Sequence, residues 1–413
     1  MTTLNPVLGD LVPVDEYNPA EQAILTLLDA IAEESLSPLV EENDRAGRYP
    51  TASISALKQP ELLGAMIPTE LGGGGVSHRC SLEMQMRLAR VDASVAQIWK
   101  VHDELAREIL AYCPDFQRER LATQIIEGRS ILGLAVAEAG RTAVDPLKTK
   151  AQPQESGGYI VDGTKIYTTA AAEADLIATW GYNVAAATAD NPAAGMQLLL
   201  VPAGTAGVDI KRDWNALGQR ATDSGTIVFT EVKCPPEWVA SVPGKAPLPH
   251  ASLRYQAGFS AVFCGIGFGA LNDAMPYIRD RARPWAQSGV SAASEDPMIL
   301  RSAGELGADL AAAWQATLRC GDLLDAFERG ELERGQLALP VSVAKSTSSR
   351  AVMAATGTIH ELMGTGSLSK GSRYDLWWRN ARTLSLHDPL EWKNHEIGRH
   401  LVTGWTPEPG IYQ

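Results

Sequence analysis

The chain has 413 residues, of which 45% are hydrophobic and 21% are charged, and its formal net charge is −13. This length predicts two or three structural units with a large core. The acidic net charge and the absence of a basic block argue against binding to nucleic acid or to an anionic membrane. The sequence contains no run of eighteen apolar residues, so no membrane-spanning helix is predicted. The first thirteen residues carry no secretory signal, and the five cysteines are scattered. We therefore expect a cytoplasmic globular protein with neither a disulfide framework nor a metal site.

The N-terminal region, from about residue 18 to residue 127, has apolar residues at helical spacing. His102 is the one polar residue on an otherwise apolar helix face, so we expect its side chain to point into the protein interior. Asp115, which follows Pro114, is a candidate cap for the next helix, expected over residues 117–127. Eight positions at steps of three and four predict one face of a long amphipathic helix: Met84, Leu88, Val91, Val95, Ile98, His102, Leu105 and Ile109.

The middle region, from about residue 131 to residue 243, changes to short β-rich runs. Turn residues such as Asp162-Gly163 and Asp223-Ser-Gly225 separate these runs. The pattern is typical of a sandwich or barrel and not of βαβ units. The runs that we predict to be strands are 131–137, 159–161, 165–168, 176–180, 196–201, 208–210 and 226–229.

The C-terminal region returns to long helices rich in Ala and Leu, expected over residues 254–283, 298–328 and 336–363. Long helices with short links predict a bundle. Gly265, Gly267 and Gly269 each cost about 1 kcal/mol relative to Ala, so we expect close packing there. The chain is thus predicted to be an α+β protein. It would have an N-terminal helical domain (1–130), a middle β-sandwich or barrel (131–246) and a C-terminal four-helix bundle (247–413).

Four strings stand out along the chain: Ile67-Pro-Thr-Glu-Leu-Gly-Gly73, Tyr159-Ile-Val-Asp-Gly-Thr-Lys165, Gly218-Gln-Arg-Ala-Thr-Asp-Ser-Gly225 and Trp378-Arg-Asn-Ala-Arg382. Together with the order of the three regions, they resemble the acyl-CoA dehydrogenase fold. The resemblance extends from about residue 20 to about residue 410.

Four further strings carry a second resemblance: Asp213-Trp-Asn-Ala-Leu-Gly218, Ala282-Arg-Pro-Trp285, Ser294-Glu-Asp-Pro297 and Leu386-His-Asp-Pro389. They resemble a sister group, the two-component flavin monooxygenases typified by dibenzothiophene monooxygenase, and the related sulfur-acquisition oxidoreductases. This resemblance implies an enzyme that takes reduced FMN from a separate NAD(P)H:flavin reductase. With O2 it would form a flavin C4a-hydroperoxide that oxygenates sulfur or nitrogen of a small, rather apolar substrate. A homotetramer, built through the C-terminal bundle, is also implied.

The same resemblance implies roles for two histidines and two cations. His102 and His387 would handle protons, because a histidine titrates near neutral pH and can give a proton to a peroxide. Arg283, just before Pro284, would hold the flavin phosphate at a helix end. Lys370 would help from a neighbouring subunit.

Four further residues would border the flavin. Thr169, which we predict to end the strand 165–168, would place its hydroxyl near flavin N5, with Tyr167 as a neighbouring aromatic. Trp214 and Ser224 would border the ring or its ribityl chain. Leu134 and Leu384 stand where the group has polar residues, so the substrate or the proton relay is expected to differ.

Other interpretations remain open at this point. His102 could be a core histidine that bonds a backbone carbonyl, and Arg283 could be a surface residue paired with a nearby acid. An acyl-CoA dehydrogenase with FAD is the alternative enzyme, with a base displaced onto the bundle at Glu361 or Glu305. An amine N-hydroxylase would share the fold and the cofactor, and a flavin-free scaffold would keep the fold alone.

Overall fold

The computed structural model describes residues 11–12, 17–140, 147–188, 190–241, 248–369 and 371–410. Asn18 opens the first helix with a capping box, since its side chain accepts from the N–H of Glu21 and the Glu21 carboxylate accepts from the N–H of Asn18. The N-terminal helices are α1 (Pro19–Ile31), α2 (Val40–Ala46), α3 (Thr51–Leu57), α4 (Pro60–Leu63), α5 (His78–Ala89), α6 (Ala93–Tyr112) and α7 (Asp115–Ile126).

The prediction of one long helix through residues 84–109 is wrong, because the chain breaks between α5 and α6. Asp92 is the physical reason: its carboxylate accepts from the N–H groups of Ser94 and Val95, at 2.9 and 3.1 Å, and so caps a new helix. His102 lies on α6, in the second half of the predicted face. Asp115 is the first residue of α7 and not its cap, a position that Pro114 takes.

The strands of the middle region are β1 (Leu132–Ala135), β2 (Lys150–Pro153), β3 (Tyr159–Lys165), β4 (Leu176–Tyr182), β5 (Met196–Pro202), β6 (Val208–Ile210) and β7 (Ile227–Cys234). Within the described residues they form one seven-stranded sheet in the order β1-β4-β2-β3-β7-β6, with β5 also paired to β4. Strand β2 was not predicted, and Asp162-Gly163 is no turn but a register shift inside β3, opposite β7. The strand predicted over 165–168 is wrong, because the positive φ of Tyr167 ends the extended chain.

The C-terminal region is helical: α8 (Ala251–Asp280), α9 (Pro297–Glu328), α10 (Arg334–Met363), α11 (Tyr374–Leu384) and α12 (Leu390–Thr403). The glycines of α8 allow close approach on two sides, as expected. A Cβ on Gly265 would lie 2.3 Å from the Met86 carbonyl oxygen of α5, and one on Gly267 would lie 2.3 Å from the Leu310 side chain of α9. Glycine is therefore required where α8 passes between its neighbours.

One large core unites the N-terminal and C-terminal helices, and a smaller core packs against the sheet. Helix α6 contacts β1 and the turn of residues 220–222. Helix α11 accepts hydrogen bonds from Gly218 and Gln219, just before that turn, so helices of both sets meet the loop before β7. The predicted α+β architecture of helices, sheet and helices is confirmed. In the described part of the chain, every helix is too short or too polar to cross a membrane.

Candidate active site

Three hydroxyl groups lie in a row where the loop after β3 meets the loop before β7. Thr168 fixes this contact, because its N–H and its Oγ1 both donate to the Gly225 carbonyl, at 3.2 and 2.9 Å. Beside it, Thr169 Oγ1 lies 3.0 Å from Ser224 Oγ, which in turn lies 2.8 Å from Thr222 Oγ1. The structure thus brings Thr169 and Ser224 together, although Thr169 lies in a loop and not at a strand end.

Two aromatic side chains border the hydroxyl row. Tyr167 is 65% exposed, and its ring meets that of Trp214 edge to face with centroids 6.1 Å apart. The Trp214 indole N–H donates to the Gln219 carbonyl at 2.8 Å. The backbone here is strained: Tyr167, Ala170, Gln219 and Asp223 have φ between 45° and 65°, a region that non-glycine residues mostly avoid. Such strain concentrates at functional sites, which marks these loops as a candidate ligand site.

Helix α11 closes the same loop from the other side. Asn380 Oδ1 accepts from the N–H of Gln219 at 2.6 Å, and Thr383 Oγ1 accepts from the N–H of Gly218 at 2.9 Å. A Cβ at position 218 would lie 2.0 Å from the Arg379 carbonyl oxygen, so only glycine allows this approach. The Gln219 side chain is 3% exposed, yet within the described residues neither its amide oxygen nor its amide nitrogen has a hydrogen-bond partner. A buried amide with both functions unused indicates a ligand edge that carries a donor and an acceptor.

The turn between α11 and α12 carries His387 and Asp388. The His387 ring packs on Phe259 of α8, with centroids 4.1 Å apart, and its Nδ1 lies 3.3 Å from Asp388 Oδ1. Asp388 is buried and also faces Lys345 of α10, whose Nζ lies 3.1 Å away. Burial lowers the pKa of His387 below its usual value; the bond to Asp388 opposes this shift and the charge of Lys345 adds to it. The His387 side chain is 44% exposed, so its ring can exchange protons with a ligand.

A second lysine reaches the Phe259 ring from α6. Lys100 Nζ lies 3.9 Å from the ring centroid and pairs with Glu104 Oε2 at 2.8 Å. Gly258 leaves room for this pair, since a Cβ there would lie 2.3 Å from Glu104 Oε1. Burial lowers the pKa of Lys100 and raises that of Glu104 to about 7, against the effect of their pairing. A cavity of about 10 Å³ next to Glu104 has room for about one water molecule and none for a substrate.

Family models match three consecutive stretches of the chain. They describe the N-terminal, middle and C-terminal domains of acyl-CoA dehydrogenase, over residues 18–129, 133–232 and 257–392. A dibenzothiophene monooxygenase of Rhodococcus erythropolis is 33% identical over 386 residues, which are 90% of this chain and 91% of that protein. The chain belongs to the acyl-CoA dehydrogenase family.

Other members of the family point to the same branch. The probable FMNH2-dependent monooxygenase SfnC of Pseudomonas putida is 29% identical, with 96% of this chain and 98% of that protein covered. FMN-bound TdsC of Paenibacillus sp. A11-2 matches with a TM-score of 0.88 and 30% identity, over 95% of this chain and all of that one. Methanesulfinate monooxygenase MsuC of Pseudomonas fluorescens matches at 0.85 and 28%, over 96% of this chain and all of that one. The predictions of an acyl-CoA dehydrogenase fold and of a flavin-dependent monooxygenase are confirmed.

FMN fits the residues that surround the strained loops. The hydroxyls of Thr169 and Ser224 and the unused amide of Gln219 offer the donors and acceptors that the polar edge of an isoalloxazine needs. Tyr167 and Trp214 add aromatic surface that can cover a planar ring.

Of the two predicted phosphate ligands, Arg283 lies within the described residues and far from His387. Arg283 is exposed three residues beyond the end of α8, and in the described part of the chain no side chain or carbonyl pairs with it. Phe259, against which His387 packs, lies near the opposite end of α8, about 30 Å away at 1.5 Å per residue. Arg283 therefore does not reach the same subunit's His387. Lys370 lies outside the described residues.

The two ring nitrogens of His102 bond backbone groups outside these loops. The side chain is fully buried, with Nε2 3.3 Å from the Leu63 carbonyl and Nδ1 accepting from the Leu132 N–H at 3.1 Å. Both ring nitrogens are thus used by the backbone, and burial lowers the pKa of His102 to about 4. These are the contacts of a core histidine that joins α4 and α6 to β1. The catalytic role predicted for His102 stays a prediction that its geometry does not support.

The remaining predicted positions are structural or exposed. Leu134 donates its N–H to the Thr169 carbonyl at 3.0 Å, and Leu384 is buried at the end of α11. Glu305 and Glu361, the candidate bases of an acyl-CoA dehydrogenase, are exposed, and Glu305 pairs with Arg301 one turn earlier.

Sequence reasoning missed several residues that the fold assembles. Gln219 lies inside a quoted string, but its unused amide becomes visible only when α11 is in place. Lys100, Lys345 and Phe259 come from three separate helices, and no local pattern joins them. Of the missed residues, Asp388 could have been identified from the sequence, because it directly follows His387.

Proposed function

We propose that this protein is an FMNH2-dependent monooxygenase that transfers one oxygen atom of O2 to the sulfur of a small organosulfur substrate. One observation carries the proposal: the loop that Asn380 of α11 holds carries both the Ser224 hydroxyl, which meets that of Thr169, and the buried amide of Gln219, which has no partner among the described residues. The same helix leads directly into the turn of His387. Helix α11 thus connects a flavin site, at residues 167–169 and 218–225, to a proton-transferring histidine. We call this region the junction.

Bound FMNH2 would supply the two electrons with which O2 is split. The residues of the chain would bind and shield it: Thr169, Ser224 and Gln219 hydrogen-bond the polar edge of the ring, and Tyr167 and Trp214 cover it. Shielding matters because water promotes the loss of hydrogen peroxide before an oxygen atom is transferred.

His387 would move the proton that the oxygen transfer requires. Asp388 accepts from Nδ1–H, which fixes the tautomer, so proton transfer to a ligand runs through Nε2. Burial raises the pKa of Asp388, but the bond from His387 and the charge of Lys345 outweigh this effect and hold it well below its usual range. The carboxylate therefore stays ionised while His387 gives and regains its proton.

The proposal includes a homotetramer in the cytoplasm, supplied with FMNH2 by a separate NAD(P)H:flavin reductase. The position of Arg283 supports a homo-oligomer. Arg283 lies too far from the His387 of its own subunit to hold the flavin there, but it is exposed and could bind the flavin phosphate of a neighbouring subunit. All five cysteines are free and buried, which agrees with a reducing compartment. Large apolar side chains exposed on the C-terminal helices and their links offer contact surface: Trp285, Met298, Leu300, Trp392, Leu401 and Val402.

Anaerobic mixing with reduced flavin followed by O2, in a stopped-flow spectrometer, tests the proposal. The protein with FMNH2 should show a transient near-ultraviolet absorbance that outlives the one seen with FMNH2 alone. FADH2 should give a weaker signal. An organosulfur substrate should shorten the life of the transient and yield an oxygenated product.

The opposite result would restore the alternative enzyme. If no transient forms, and an acyl-CoA bleaches protein-bound FAD without O2, the protein is an acyl-CoA dehydrogenase. The roles proposed for His387 and Gln219 would then be lost.

A further inference from the structure

The loop of residues 218–225 is held by α2 as well as by α11. Arg379 of α11 donates through Nη1 to the carbonyl of Leu217, just before the loop, at 3.1 Å. The same guanidinium donates to both carboxylate oxygens of Asp44 in α2, at 3.1 and 2.8 Å. Asp44 and Arg379 are 335 residues apart in the chain, so their ion pair joins the N-terminal helices to the C-terminal helices beside this loop.

The geometry of this pair requires arginine. Two N–H groups of one guanidinium meet two oxygens of one carboxylate, which fixes the orientation of both side chains and gives strong, charge-assisted bonds. The side chains of Arg379 and Asp44 are 18% and 16% exposed, so solvent screens this pair less than a surface pair. Arg379 also donates through Nε to Asp375 at 2.8 Å, but that contact stays within α11. Of these two acidic partners, only Asp44 links α11 to another element.

A second arginine ties the loop to the same residue of α2. Arg220 donates through Nε to the backbone carbonyl of Asp44 at 2.8 Å. The helix ends at Gly47, whose φ is 59°, and a Cβ on this glycine would lie 2.8 Å from Arg220 Nη2. Glycine at position 47 therefore allows both the left-handed end of the helix and the approach of Arg220. Asp44 thus restrains the loop twice, through its carboxylate and through its carbonyl.

These contacts fall on both sides of the residue that we assign to the flavin edge. Gln219 lies between Leu217, which Arg379 holds, and Arg220. Its φ of 53° is one that a non-glycine residue keeps only where the surrounding structure holds it. Among the described residues its side-chain amide makes no hydrogen bond, so the restrained backbone determines where that amide points.

Resting on the proposed function, we propose that Asp44 is a positioning residue for the flavin. It holds the loop of residues 218–225 in the conformation that binds FMNH2, and it acts through Arg379 and Arg220 rather than on the ligand itself. Coupling between two sites is reciprocal, so α2 and a bound flavin stabilise each other. Loss of the Asp44 carboxylate weakens flavin binding, and flavin binding slows the opening of α2.

Titration calorimetry of the whole protein with oxidised FMN tests this role without turnover. Asp44→Asn keeps the size of the side chain and removes its charge, so FMN should bind about tenfold more weakly. FMN carries a negatively charged phosphate, so the loss of a negative charge would by itself favour binding, and weaker binding therefore reports on the loop. Asp44→Glu, which keeps the charge, should restore part of the affinity. The matched control is Glu42→Gln, which makes the same charge change at an exposed position of α2 and should leave the affinity within about twofold.

Hydrogen exchange distinguishes positioning from a merely structural role and begins with the native protein. Oxidised FMN should slow amide exchange in α2 as well as in the loop of residues 218–225. In Arg379→Lys, which keeps the charge but cannot hold a carboxylate with two N–H groups, FMN should still protect the loop and should protect α2 less. If FMN protects the loop of the native protein and leaves α2 unchanged, the coupling is absent and the inference is wrong.

Turnover with FMNH2 and O2 separates this inference from the proposed function. If a sulfur compound is oxygenated and Asp44→Asn binds FMN as tightly as the native protein does, the positioning role is wrong and the monooxygenase stands. If FMN binding depends on Asp44 but no sulfur compound is oxygenated, the positioning role stands and the monooxygenase fails. If the native protein binds no FMN, both are wrong.

Discussion

Two histidines lie in opposite environments. His102 lies where α4 and α6 meet β1, which we call the seam, and His387 lies in the turn between α11 and α12. At the seam, two backbone groups from different elements occupy both ring nitrogens, and the ring is fully buried. At the turn, one nitrogen meets the Asp388 carboxylate, one face of the ring packs on Phe259, and almost half of the side chain is exposed. The first arrangement holds elements together, whereas the second can move a proton.

The difference shows that access and a charged partner decide the role of a histidine, and that its place in the sequence does not. Burial lowers the pKa of both histidines. Of the two, only His387 has a carboxylate within 3.3 Å of its ring and a surface from which a ligand can reach it. The comparison therefore supports the proposal that proton transfer takes place at the turn and that His102 contributes to stability.

Replacing His387 should have the largest effect. His387→Gln should lower the product formed per FMNH2 consumed by about 100-fold or more, because general acid–base catalysis of this kind contributes 10²–10⁴. Oxygen consumption should continue, with hydrogen peroxide as the product. The measurement is the ratio of oxygenated product to peroxide under a constant FMNH2 supply.

The exposed His395 of α12 gives a matched control for that experiment. His395→Gln should keep the native ratio of product to peroxide. A His387→Gln variant that keeps this ratio as well would remove His387 from the mechanism.

Replacing His102 should affect stability and leave turnover within about threefold. The pKa of His102 is lowered from 6.5 to about 4 in the folded protein, so between these values the unfolded chain binds the proton and the folded chain does not. Stability from this group is therefore present at pH 7 and is lost as the pH falls, by about 2 kcal/mol between pH 7 and pH 5. In His102→Gln, urea unfolding should show a lower stability at pH 7 and a smaller loss on acidification. Native stability with lost turnover would instead make His102 catalytic.

The sequence predicted the architecture better than the site, for physical reasons. Helix periodicity and composition placed the three long bundle helices to within three residues of their observed ends. The same periodicity ran through residues 90–92, because an apolar face continues across a capped break and only the Asp92 carboxylate ends it. Ser224 lies inside the string Gly218–Gly225, and Thr169 follows a predicted strand, so the resemblance could single out both positions.

The charged part of the site could not be predicted in this way. Lys100, Phe259, Lys345 and His387 are separated by at least 42 residues and meet only when four elements pack. Each of them alone is compatible with an ordinary helix or turn. The interaction that gives them a role is a tertiary contact, for which the sequence has no local pattern.

Replacing Gln219 tests where the flavin binds and should have the smallest of these effects. Gln219→Leu keeps the size of the side chain and removes its unused amide, so FMNH2 should bind about tenfold more weakly if one or two hydrogen bonds are lost. The measurement is anaerobic fluorescence titration of the protein with FMNH2. Thr222→Val, at the far end of the hydroxyl row, is the control and should change affinity less. A Gln219→Leu variant that binds FMNH2 as the native protein does would move the flavin away from the loop of residues 218–225.

Oxygen-isotope labelling tests the central claim most directly. The protein is supplied with FMNH2 and ¹⁸O2, and methanesulfinate and dibenzothiophene are added in separate reactions. The masses of the products are then measured by mass spectrometry. The account predicts one ¹⁸O atom in the oxygenated sulfur product of at least one of the two substrates for each FMNH2 that is oxidised, with the second ¹⁸O in water, and a marked loss of this product in His387→Gln. Complete recovery of the label as hydrogen peroxide with both substrates, or a sulfonate free of ¹⁸O, would contradict oxygen transfer at this junction.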